Sequence, residues 1–254
     1  MEMRTRLMVL AASLVAFNAA LWSIPKIAPE APGRWEGVQP AAPPTASAST
    51  TPPPPLPADF PSMERPPKIS VADGEPQPIA TKYGLTYEIP PGWQNRDSAV
   101  AGWDSNGETL AIYGSLGYYG RTDCAENGEH TELAWTGVTG RRDTDLDASA
   151  LEEIEKARRI YSNADESASP TVTISGPKQI TIDDRPAVRY TAVVEQIPDA
   201  EKECVSSTAT MDVVTTPGYA SAETALFVVF ADRGKENALT DSDIDQILST
   251  IRKS

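Results

Sequence analysis

Tyr83-Gly-Leu-Thr-Tyr-Glu-Ile-Pro-Pro-Gly-Trp93 is the stretch from which the rest of the chain is read outward. Leu85, Tyr87 and Ile89 alternate with Gly84, Thr86 and Glu88, the period of a strand with one buried face. Pro90-Pro91-Gly92 ends it, because proline cannot donate to a sheet ladder and glycine accepts a tight turn. Trp93 follows as a large apolar anchor. Upstream of this point the residues read as an anchor and a tether, and downstream as one folded domain.

The tether is set by composition. Of 23 prolines, 16 fall between Pro25 and Pro78, as in Pro40-Ala-Ala-Pro-Pro-Thr-Ala-Ser-Ala-Ser-Thr-Thr-Pro-Pro-Pro-Pro55. Such a chain prefers solvated polyproline II and buries little apolar surface, so residues 25–78 are expected to form a disordered linker. Before it, Arg4 and Arg6 precede an uncharged apolar run over 7–24, just long enough to cross a bilayer core of roughly 30 Å. The arginines put residues 1–6 in the cytoplasm by the positive-inside rule. Small residues at −3 and −1 of a cleavage site are hard to place around Phe17, Asn18, Leu21 and Trp22. The run therefore reads as one uncleaved transmembrane signal anchor. The domain over 79–254 is then extracytoplasmic, on a single-pass membrane protein of the cell envelope.

The formal net charge is −14. No basic stripe is present to neutralise phosphates, which argues against nucleic acid as a partner. Cys124 and Cys204 stand alone, outside any C-x-x-C pair, and a single histidine, His130, cannot complete a zinc site with them. In an oxidising compartment they are expected to form one disulfide. No metal or other cofactor is expected: H-E-x-x-H, P-loop and G-x-G-x-x-G patterns are all missing. The acidic runs Asp143-Thr-Asp-Leu-Asp147 and Asp241-Ser-Asp-Ile-Asp245 lack the glycine and glutamate of a calcium loop. They lie at helix starts, where carboxylates cap free N–H groups.

Within the domain, residues 100–103 and 109–113 read as strands around an Asn106-Gly107 turn. Gly114-Ser-Leu-Gly-Tyr-Tyr-Gly120 reads as a glycine-punctuated loop or strand end, and a polar stretch runs from Cys124 through His130 to Gly140. A helix is expected over 147–161, with Leu151, Ile154, Arg158 and Tyr161 on one face. Residues 171–182 and 186–197 form a hairpin, followed by strands at 204–216 and 223–231. Ala225-Leu-Phe-Val-Val-Phe-Ala231 is the most apolar of these and is expected to be central. Thr240 caps a last helix with Asp243 three residues on, and Ile244, Ile247, Leu248 and Ile251 make its apolar stripe. The order predicts an α+β domain, an antiparallel β-sheet flanked by helices.

The Tyr83–Trp93 pattern, the two lone cysteines and the ending Ala225–Arg252 resemble a family of uncharacterised actinobacterial extracytoplasmic domains with an N-terminal membrane segment and a proline-rich linker. More distantly, a strand ending in Pro-x-Gly-Trp and a closing Ile-Leu-x-x-Ile helix are similar to PsbP-like domains, including LpqN-type lipoproteins. That resemblance implies an antiparallel sheet flanked by helices and carries no enzymatic activity with it. LpqN-type proteins bear a lipid-modified cysteine that has no counterpart here.

The candidate binding surface is aromatic: Tyr118, Tyr119, Arg121 and Trp135, able to stack on wall glycan or to pack an envelope protein. The same rings could instead pack the sheet, the commoner fate of aromatics near a cysteine bridge. No catalytic residue is identified, since G-x-S-x-G is missing and His130 sits in a polar stretch. The expected function is non-enzymatic binding or assembly in the envelope. The alternative is a hydrolase or transferase acting on wall glycan through a carboxylate pair.

Overall fold

The structure is a computed structural model that describes residues 66–105, 107–123, 130–143, 145–163, 165–198, 200, 206–218 and 222–254. The anchor run at 7–24, most of the linker, Cys124 and Cys204 lie outside these residues. Among the described residues no helix is long and apolar enough to cross a membrane.

The opening stretch forms β2 (Leu85–Ile89), and Gly92, at φ +86°, follows the two prolines that stop it. Trp93 N donates to Pro90 O across that turn. β2 pairs on one side with β1 (Gln77–Ala80) and on the other with β10 (Arg252–Lys253), both antiparallel. The last residues bind back to this small sheet: Ser254 N donates to Gly84 O, and the Thr250 hydroxyl accepts from Glu88 N at 2.9 Å.

The larger sheet has seven strands, all antiparallel: β3 (Gln94–Ser105), β4 (Glu108–Asp123), β5 (His130–Arg141), β6 (Thr171–Ile182), β7 (Arg185–Glu195), β8 (Thr208–Pro217) and β9 (Thr224–Arg233), in the order β3-β4-β5-β9-β8-β7-β6. β9 is thus the middle strand. Its unbroken apolar run follows from burial on both faces. Ala225, Phe227, Val229 and Ala231 enter one core with Leu85, Tyr87 and Ile89 of β2 and the stripe of the last helix, α3 (Asp241–Ser249). Leu226, Val228 and Phe230 enter the other core, under α1 (Leu146–Glu155) and the short α2 (Ala157–Ile160). The domain is α+β and dominated by its sheet.

Both helix starts are capped as their acidic runs require. Asp145 accepts from Ala148 N at 3.0 Å, and Thr240 and Asp243 form a reciprocal capping box. Ile244, Ile247, Leu248 and Ile251 are buried as the spacing demands.

Three expectations are corrected. Gly114–Gly120 is neither loop nor strand end, because β4 runs through it with a register shift between Gly114 and Gly117. The polar stretch up to Gly140 contains a full strand, β5, next to the centre of the sheet. Its glycines make room for rings: a Cβ on Gly137 would lie 2.8 Å from Tyr113 Cβ. The helix expected over 147–161 is interrupted at Lys156, and Leu151 lies exposed while Glu153 is buried. Ile154 of the expected face is buried and Tyr161 packs against the same core, and Glu153 joins them through a charge network described below.

Candidate binding site

Strand register assembles an aromatic wall on the α1–α2 side of the sheet. Trp135 of β5 lies opposite Phe230 of β9, with ring centroids 4.2 Å apart and planes 9° from parallel. Trp103 of β3 stacks on both, 5.0 Å from Phe230 and 5.1 Å from Trp135. Tyr161, at the end of α2, closes toward Phe230 with centroids 6.4 Å apart. Each well-oriented pair adds about 0.5–1.5 kcal/mol beyond its buried area.

A cavity of about 230 Å³ opens between this wall, the end of α2 and Ile197-Pro198 after β7. Its polar lining includes Asp232 and Glu132. Asp232 follows Phe230 by two residues on β9 and therefore shares its face. Its side chain is 13% exposed and lies 3.8 Å from Lys235 Nζ, and it accepts from Ser206 N at 3.0 Å. Burial raises the Asp232 pKa, with the Ser206 bond and Lys235 opposing. Glu132 lies 3.9 Å from His130 Nε2. Burial, then the charge of Asp232, pushes the Tyr161 phenol far up, so it stays neutral.

Of the residues expected to form a surface patch, Trp135 lines this cavity. Tyr118 is opposite it in the ladder and packs into the same core, half-buried; burial and then Glu132 raise its phenol. Tyr119 lies on the other face, stacked on Trp93 at 5.3 Å and packed against the other core. Arg121 is exposed, opposite Glu132. The four are not one patch, because neighbours along a strand point to opposite faces. Trp103, Tyr161, Phe230, Glu132 and Asp232 have no local signal in sequence. The pairing of β3, β4, β5 and β9, with α2 packed over it, brings them together.

Two other buried carboxylates are committed to structure. Glu153, 1% exposed, accepts from Tyr113 Oη, from Arg141 Nη2 at 2.5 Å and from Lys156 Nζ at 2.9 Å. Asp212 of β8 accepts from Thr191 Oγ1 at 2.6 Å and from the Arg189 fork at 2.6–2.8 Å. Arg189 continues to Asp245 of α3 at 2.5 Å. These networks tie α1 and α3 to opposite faces of the sheet.

The family described as Domain of unknown function (DUF8017) matches residues 70–254. The chain belongs to this family. All ten strands and the aromatic cavity fall inside the DUF8017 match. A search of curated proteins returns no match. Among solved structures, a mutant form of the protein Mog1 is similar at 10% identity, over 70% of this chain and 95% of that one, with a TM-score of 0.38. That level of similarity bears on neither fold nor function of the DUF8017 domain.

Proposed function

We propose that this DUF8017 protein is a membrane-tethered, extracytoplasmic binding or assembly protein of the cell envelope, with the aromatic cavity as its binding site. The observation that carries the reading is the stack of Trp103, Trp135 and Phe230 beside a cavity with carboxylates at its edge. Apolar walls with a few placed polar groups are the usual make-up of small-ligand sites. The apolar run at 7–24 and the proline-rich stretch after it support the tether, and the resemblance to PsbP-like domains supports a non-enzymatic role. Glu153 and Asp212, buried among the described residues and outside the cavity, are each held by an arginine and so offer no free carboxylate pair for hydrolysis.

The test is titration of the full-length chain in detergent with benzylamine and with benzyl alcohol, followed by tryptophan fluorescence. A saturable change with at least one compound is expected, weakened at least tenfold in Trp135→Leu and in Phe230→Leu. No saturable response to either compound, or one unchanged in both variants, would overturn the reading.

A further inference from the structure

Resting on the reading of the cavity as a binding site, we infer that it selects a small organic cation, with an ammonium group held at Asp232 and an apolar body against the Trp103–Trp135–Phe230 wall. Three carboxylates among the described residues, Glu153, Asp212 and Asp232, differ in how they are supplied with donors. Glu153 and Asp212 each take three or more side-chain hydrogen bonds, among them those of an arginine. Among the described residues, Asp232 takes one backbone N–H at 3.0 Å and a lysine at 3.8 Å, ion-pair range rather than hydrogen-bond length. A carboxylate has room for about four donors, so these described donors leave Asp232 acceptor capacity where it borders the cavity.

The surroundings favour the same charge. Glu132 joins Asp232 in the lining, and neither lysine nor arginine is among the described residues that line the cavity. Aromatic faces carry negative potential and attract cations within about 6 Å of a ring centroid. The net charge of −14 raises the local concentration of cations over anions. The size sets a limit: about 230 Å³ is the liquid volume of roughly seven or eight waters. That suits an amine with one ring or a short branched body.

Benzylamine and benzyl alcohol are near-isosteric and differ in charge, so the unmodified protein tests the inference directly by tryptophan fluorescence at neutral pH. Benzylamine is expected to bind at least tenfold more tightly. In Asp232→Asn that advantage should fall to within twofold, with benzyl alcohol unaffected; Glu132→Gln should reduce it partially. Equal affinity for both compounds in the unmodified protein, or an advantage that survives Asp232→Asn, would overturn cation selection and leave ring binding standing. Absence of any saturable response would remove both.

Discussion

Asp232 is a residue whose placement works against the stability of the fold that holds it. Burial raises its pKa above the ordinary value of 3.8, more than Ser206 and Lys235 lower it. A carboxylate raised in this way penalises the native state in full above its native pKa. The penalty shrinks as pH falls through that value and is gone below 3.8, where native and unfolded chains are both protonated. Asp232→Asn is therefore expected to raise the Tm near neutral pH, with the gap to the parent closing on acidification. Thermal melts across that range would show it; a lower Tm for the variant at neutral pH would mean that the Lys235 pair outweighs desolvation. Stability given up at a binding residue is a familiar trade. None of this is legible in sequence, where Asp232 merely ends the apolar run Ala225–Ala231. Tyr118, Tyr119 and Trp135 are visible as aromatics, but their faces depend on the pairing of Tyr118 with Trp135.

Among the elements, α3 and α1 differ in how far their sequences decide their placement. α3 has three aliphatic residues on one stripe, which Ile251 extends just past its end, and a capping box, so local signal and tertiary packing agree. In α1 they conflict, because Leu151 faces out and Glu153 faces in. Glu153 is accommodated by Arg141 from β5, Lys156 and the Tyr113 hydroxyl of β4, partners that no helical periodicity reveals. Arg141→Met leaves that buried carboxylate short of its arginine and is expected to destabilise by about 3 kcal/mol. Glu152→Gln, which removes an exposed partner of the same arginine, should cost under about 1 kcal/mol. Urea unfolding would separate them; near-equal losses would show that Lys156 and Tyr113 suffice for Glu153. β5 escapes a pattern reading for a related reason. Gly137 and Gly140 stand where Tyr113 and Tyr83 need space, so the strand looks too polar and too glycine-rich to be central.

For the whole molecule, the α+β class, the central position of β9 and the closing helix are legible because each rests on long apolar runs or regular spacing. The order β5-β9-β8 is not, since antiparallel pairing between distant segments leaves no local mark. That order bears on the cysteines. Asp123, before Cys124, ends β4, and Ser206, two residues after Cys204, precedes β8 at the same end of the sheet. Three strand spacings, roughly 14 Å, separate β4 from β8. One residue, two residues and a bridge can together span about 16 Å. Mass spectrometry of the protein purified without reductant is expected to show one Cys124–Cys204 disulfide, worth about 4–5 kcal/mol in the chain-entropy picture; two free thiols would exclude it.

The insertion of β9 between β5 and β8 also governs how the protein comes into being. Trp135 finds Phe230 only after the intervening helices and three further strands have been made. Until then β5 is an open edge, and the rings of Trp103 and Trp135 have no Phe230 to cover them. Long-range closure of this kind is slow, and chain that waits for it leaves apolar surface and a strand edge uncovered. The net charge of −14 opposes association of copies still waiting for their middle strand, by mutual repulsion.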